Sequence, residues 1–412
     1  MKLAFGTGGA DWQERINFAK MRQERLAKGQ GMMKKYGIAS ALLTRSENIR
    51  YMAGVRGAPE FAPQMRYALV FAEHEPIMYE MGDALEHHKV HCNWIKPENW
   101  RYSFCWLGGC CGPEATADVA KKWAEAIAQD LKAKGLQRER LGVDAIDEVG
   151  RQALMKVGIE TVPVMPAMRE ARRTKTKEEI LCMKMGVAIA NVGYATVCET
   201  LRPGLRECDV GGVVMDAMLK AGAEHVNAGA RSGPNTFEVY HIGNLDRIIQ
   251  VGDLVYVNLC STAYMGYRVC YYRTFITGRR PNQKEKDWYK KLYDRIYAVI
   301  GAIQPGATTA DAARHLLPAH HWGYEAEERM LVSEVGHGIG MTYDEPIISR
   351  IWSFDHPQTF EPGMVIAVEC REGEPGYGGV RFEEMVVVTE KGHEIITTWP
   401  AEEIIPVGLY ID

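Results

Sequence analysis

Two histidines, two glutamates and one cysteine in the second half of the chain carry groups that could do chemistry together. His241 stands in Val239-Tyr240-His241-Ile242-Gly243-Asn244, twelve residues before Asp253 of a Gly252-Asp253 turn. An imidazole near neutral pH can take a proton from water and return it to a leaving nitrogen. His337 lies in Gly336-His337-Gly338-Ile339-Gly340, where glycines on both sides let backbone approach closely and present the ring to a pocket. Glu369 ends Ala367-Val368-Glu369 and Glu383 ends Val380-Arg381-Phe382-Glu383. Drawn together without a metal, these two cannot both ionise cheaply, so one should hold its proton. Ionised, the pair could hold a cationic amidine or ammonium head. Cys270, His337, Glu369 and Glu383 also make a chemically reasonable donor set for one zinc ion. Val269, Tyr271 and Tyr272 surround Cys270 with apolar and aromatic side chains, where a thiol stays inert. Asn258 offers only a neutral carbonyl oxygen.

The elements that must position these groups are strands at 254–260, 270–277, 364–370 and 380–389, with helices at 283–303 and 309–322. Antiparallel hairpins carrying the marked residues make this half α+β. Upstream, residues 13–36 show helical spacing that stops at Tyr36-Gly37, and Ile38 to Leu43 reads as a buried strand. Strands at 68–71, 76–79 and 140–144 and a helix over 114–135 complete an α/β pattern over about 165 residues. The chain therefore divides into a small domain over 1–168 and a catalytic domain over 169–412. The basic stretch from Arg169 to Lys177 between them reads as a solvated linker surface. Thr176 with Glu179 three residues on has the spacing of a capping box opening the next helix.

Asn258, the Gly266-to-Thr274 stretch, Gly336-His337-Gly338-Ile339-Gly340, Glu369 and Glu383 together resemble, in order and spacing, the creatinase/aminopeptidase family. Lys175-Thr176-Lys177-Glu178-Glu179-Ile180, Leu201-Arg202-Pro203-Gly204 and Glu361-Pro362-Gly363-Met364 extend the match, and Gly37-Ile38 through Gly54 resembles the small domain of its creatinase and prolidase branch. The resemblance implies an α/β N-terminal domain followed by an α+β pita-bread C-terminal domain. It also implies that His241 is the proton-transferring histidine. Peptidase members hold two divalent ions with two aspartates, one histidine and two glutamates. Here Asn258 and Cys270 stand at the aspartate positions, which leaves two packed divalent ions under-neutralised. Creatinase, which works without metal, shares the asparagine and lacks the second aspartate. Tyr272 departs from creatinase, which carries a glutamate against its substrate there, and Glu383 resembles the peptidases instead. Asp344 replaces a further peptidase histidine seven residues past His337. Arg66 lies, one residue out of register, near where creatinase's small domain sends an arginine across to a partner subunit's carboxylate substrate, and Arg350 is a second candidate for that job, which suits an arginine's planar fork.

The first expectation is thus a metal-independent, creatinase-like hydrolase of a C–N bond in a small, carboxylated metabolite, with no cofactor. His241, His337, Glu369 and Glu383 would be catalytic, and Arg66, Tyr272, Asn258, Cys270, Asp344 and Arg350 would contact substrate. The alternatives are an enzyme with one divalent metal ion (an aminopeptidase P or prolidase-type peptidase, or a dimethylsulfoniopropionate-cleaving lyase) and a non-catalytic binding protein. Pocket walls would come from loops at 55–66, 100–113, 231–241 and 342–356, with Phe61, Trp106, Tyr240, Tyr343 and Trp352. The resemblance implies a homodimer.

With 412 residues, 46% of them hydrophobic, the chain can bury large cores. A net charge of -4 and a pI near 6.3 argue against nucleic acid or an anionic membrane as partner. No apolar run reads as a membrane span, and Gly8, Gly9 and Asp11 interrupt any leader peptide. Ten cysteines without a repeating spacing read as reduced thiols rather than a disulfide framework. These features predict a cytoplasmic location.

Overall fold

The computed structural model describes residues 16–58, 63–237, 245–330 and 334–409. In the first half, β1 (Ser40–Leu43), β2 (Arg66–Phe71), β3 (Ile77–Glu80), β4 (Trp100–Tyr102), β5 (Leu141–Val143) and β6 (Thr161–Pro163) form one mixed sheet, ordered β4-β3-β2-β1-β5-β6. Helices α1 (Phe18–Lys35), α2 (Ser46–Ala53), α3 (Gly82–His91), α4 (Pro113–Ala133), α5 (Glu148–Lys156) and α6 (Met165–Arg173) accompany it. All four residues of β1 are buried, because both faces of the sheet are covered. Leu42 packs with Trp123 and Leu131 on one side, while Ala41 and Leu43 belong with Met33 and Met52 on the other. That is why this strand reads as an unbroken apolar run rather than an alternation.

Two segments differ from the sequence reading. The basic stretch is not a solvated linker. Its first part completes α6, so the division drawn at 168/169 falls inside a helix, and Arg172 and Lys175 are 2% and 6% exposed. Both cations pair with Asp344, at 3.2 and 3.1 Å, which draws them inward. The helix expected at 309–322 is broken into α10 (Thr309–Ala313) and a 3₁₀ turn over Ala319–Trp322, with Pro318 interrupting the helical hydrogen bonds.

Thr176 and Glu179 do form the capping box of α7 (Lys177–Thr200). By length and composition α7 could cross a membrane, yet half of its apolar window is buried. Met183, Val187, Ala190, Tyr194 and Val197 belong to the large core. After α8 (Glu207–Lys220), a four-stranded sheet ordered β17-β11-β8-β7 is built from β7 (Gly229–Ser232), β8 (Leu254–Asn258), β11 (Tyr272–Thr277) and β17 (Ile405–Val407). The small hairpin of β9 (Ala263–Tyr264) and β10 (Tyr267–Arg268) lies between β8 and β11 in the chain. A five-stranded sheet ordered β13-β12-β14-β15-β16 follows, from β12 (Val335–Ile339), β13 (Tyr343–Ile348), β14 (Val365–Glu374), β15 (Gly378–Val388) and β16 (His393–Ile395). Helix α9 (Gln283–Gly301) covers β14 and β15 through Leu292, Ile296, Val299 and Ile300. β15 also packs on β8 and β11, and the marked residues meet there.

Candidate active site

Side chains two apart on a strand share a face, and register brings the key groups together. Glu369 on β14 lies directly opposite Glu383 on β15, and Ala367 pairs with His337 on β12. Three ligand-type groups thus project from one face of three neighbouring strands. His337 Nε2 is 3.5 Å from Glu383 Oε1. The ligand atoms of His337, Glu369 and Glu383 lie within 4.8 Å of one another, and all three residues are buried. His337 Nε2 and Glu383 Oε1 have no hydrogen-bond partner among the described residues. Such buried, unpartnered atoms are costly unless something binds them.

Two arginines frame the pair. Arg381, two residues before Glu383 and on the same face, reaches Glu369 Oε2 at 3.2 Å with its guanidinium over the rings of Tyr256 and Tyr272, each centroid 5.3 Å away. Arg273 donates to the Glu383 carbonyl at 2.8 Å and pairs with Glu384 at 3.0 Å, fixing the β15 backbone. Burial pushes the Glu383 carboxyl up to about 8, against the pull of Arg381 and Arg273. Burial, and then the neighbouring Glu383, push Glu369 up to about 7. Burial also lowers His337, favouring the neutral imidazole that ligates metals. Burial, and then the neighbouring Glu369 and Glu383, raise the Tyr272 hydroxyl well above its ordinary value. Tyr343, 61% exposed, sets its ring edge-on to His337 at 4.5 Å and forms the solvent side of the site.

Asn258 ends β8 and pairs in register with Tyr272. Its Oδ1 accepts from the Cys260 N–H at 2.7 Å. Cys260 and Cys270 form a disulfide beside Glu383, which corrects the expectation of reduced thiols for this pair. The other eight cysteines are free. Bonded to Cys260, Cys270 has no thiolate to give a metal, so in this state it drops out of the set drawn from the sequence.

Several expected contacts lie elsewhere. His241, with Phe61 and Tyr240, is outside the described residues. Asp344 does not face a pocket: its side chain is 0% exposed and neutralised by Arg172 and Lys175. Arg350 pairs through Nε with Glu327 at 3.1 Å and covers Phe354. Trp106 is buried in the N-terminal core and donates to Asp147 at 2.7 Å. Trp352 is exposed. Arg66 pairs with Glu80 and lines a cleft of about 880 Å³ between the two domains, with Arg50, Arg56, Glu224, Arg268 and Met341. Arg268 of β10 donates its N–H to the carbonyl of Gly340, the residue after β12, at 2.8 Å. Sequence reasoning missed Arg381 and Cys260 as site residues. The period-two spacing of Arg381 from Glu383 was the available signal for the first. For the second it was the ten-residue interval to Cys270.

Residues 181–390 match the family model described as metallopeptidase family M24. An Xaa-Pro dipeptidase of Pyrococcus horikoshii is 27% identical over 71% of this chain and 84% of its own. A creatinase of a Bacillus species is 29% identical over 67% of this chain and 70% of its own. A solved structure of an Xaa-Pro dipeptidase from Bacillus anthracis superposes with a TM-score of 0.74 at 23% identity, covering 94% of this chain and all of that one. The fold is the pita-bread arrangement, preceded by an N-terminal domain.

Proposed function

The chain belongs to metallopeptidase family M24, and on that premise we propose that it hydrolyses a C–N bond of a small, carboxylated substrate as a peptidase with one divalent ion. The observation that carries this reading is the convergence of His337 Nε2, Glu369 and Glu383, with His337 Nε2 and Glu383 Oε1 buried and without a hydrogen-bond partner among the described residues. The donor set fits: a neutral imidazole and two carboxylates suit zinc or manganese. When bound, such an ion supplies Lewis-acid polarisation of a carbonyl and a more acidic water. The chain's own residues do the rest. Arg381 fixes and partly neutralises Glu369. Asn258 and the bonded Cys270 give a second hard ion no anionic ligand. In the interdomain cleft Arg50 and Arg66 are engaged by Glu224 and Glu80, which leaves Arg56 and Arg268 as the arginines that suit a substrate carboxylate, and we assign proton transfer to His241 on the family resemblance. The likeness to the P. horikoshii Xaa-Pro dipeptidase supports an amide substrate. We further propose a cytoplasmic homodimer.

Arg381 also favours a second reading. Its guanidinium already gives Glu369 a cation at 3.2 Å, and the creatinase likeness is consistent with metal-independent C–N cleavage. Chelator-stripped protein separates the two. It should be inactive on a panel of Xaa-Pro and other dipeptides and recover with one equivalent of zinc, manganese or cobalt. Undiminished cleavage of guanidino or amidine compounds in chelator, with no dipeptide hydrolysis, would replace the first reading by the second.

A further inference from the structure

We propose that Cys260 and Cys270, when reduced, form with Glu383 a second, thiolate-rich metal site, so that their disulfide and a soft divalent ion of the zinc class exclude one another. The two sulfurs and a Glu383 carboxylate oxygen lie within 4.8 Å of one another, and all three residues are buried. Cys260 Sγ lies 3.5 Å from Glu383 Oε2, while Oε1 of the same carboxylate faces His337 Nε2 at 3.5 Å. Glu383 therefore stands between two donor sets, one of imidazole and carboxylate and one of sulfur.

The backbone holds the sulfurs in place. Cys260 follows β8 and Cys270 precedes β11, and these strands pair with Asn258 opposite Tyr272. The intervening β9–β10 hairpin is anchored where the Val269 N–H donates to the Thr262 carbonyl at 2.9 Å. Ligands on a pre-formed strand pair lose little entropy on binding. Thiolates select zinc and comparable ions over manganese or magnesium, so the chemistry of this set differs from that of the first.

The two states use the same electrons differently. Oxidation removes two electrons and two protons from the thiols and forms the S–S bond. A small-molecule disulfide of the glutathione class accepts them and leaves as two thiols. Ion binding instead releases the two thiol protons to solvent and keeps both sulfurs as thiolates. This inference does not depend on an ion at His337 and Glu369, so either can fail alone.

Cobalt(II) titrated into the full chain under a phosphine reductant, without oxygen, tests it through the thiolate-to-cobalt charge-transfer absorption. That absorption should appear in the reduced wild type and in His337→Ala, and be absent from Cys260→Ser and Cys270→Ser. Protein first treated with a small-molecule disulfide should lack it, and its peptide map should show the 260–270 bridge. As a check independent of the variants' folding, zinc should protect Cys260 and Cys270 of the wild type from alkylation. Cobalt bound without a charge-transfer band, a band that survives Cys260→Ser, or alkylation unaffected by zinc would overturn the proposal.

Discussion

At the scale of single residues, the site is a set of charges held out of water. Without an ion, Glu383 and Glu369 have folded values near 8 and 7 against an ordinary 4.5. A raised folded value means that the native state favours the protonated form. The stability linked to it is fully present below about pH 4.5 and is lost as pH rises through about 7 and 8. Metal-free protein should therefore lose urea resistance from about pH 5 to 8. Glu383→Gln should lose it less steeply and end roughly 1–3 kcal/mol ahead at pH 8, the usual cost of one unsatisfied buried polar group. Parallel urea midpoints for the two proteins across that range would sink this account of the pair. His337, Glu369 and Glu383 were legible as a group because their residue types carry the chemistry. Arg381 and Cys260 were not, since their roles depend on which face of a strand they occupy and on a contact made across the chain.

Among elements, the hairpins were legible and the helix ends less so. Thr176 and Glu179 signalled the start of α7 because a capping box is local chemistry. Arg172 and Lys175 misled because their partner, Asp344, lies about 170 residues away in sequence, and no local rule predicts a buried long-range pair. Strand β12 shows what register demands. Its pairing with β13 shifts between His337 and Gly338, and a Cβ on Gly338 would come within 2.6 Å of the Asp344 carbonyl oxygen. Gly338→Ala should force these strands apart, cost roughly 1–3 kcal/mol, and weaken metal binding by moving His337 without altering a ligand. A thermal melt paired with a cobalt titration checks it. Unchanged values in both would mean that the bulge does not position the imidazole.

Over the whole molecule, buried polar contacts join the two domains. Asp344 of β13 holds Arg172 and Lys175 around the start of the C-terminal domain, and Arg50 of α2 grips Glu224 with two bonds of 2.7 Å. The Tyr267 hydroxyl donates to Glu179 at 2.6 Å, beside Arg25 of α1. Asp344→Asn would leave two buried cations without their anion, a change that typically costs roughly 3–5 kcal/mol. Urea unfolding of that variant, followed by both intrinsic fluorescence and circular dichroism, should begin earlier. An unaltered midpoint would show that the joint is held by apolar contacts alone. The interdomain cleft shares this joint, so loosening it should also raise KM for a carboxylated substrate.

The central claim is that one divalent ion sits among His337, Glu369 and Glu383. Anomalous scattering at the zinc edge, from crystals of oxidised protein loaded with one equivalent of zinc, tests it most directly. The account predicts a single peak within bonding distance of His337 Nε2 and both carboxylates, and its loss in His337→Ala. A map with no peak at these residues, from protein that still hydrolyses its substrate, would contradict it.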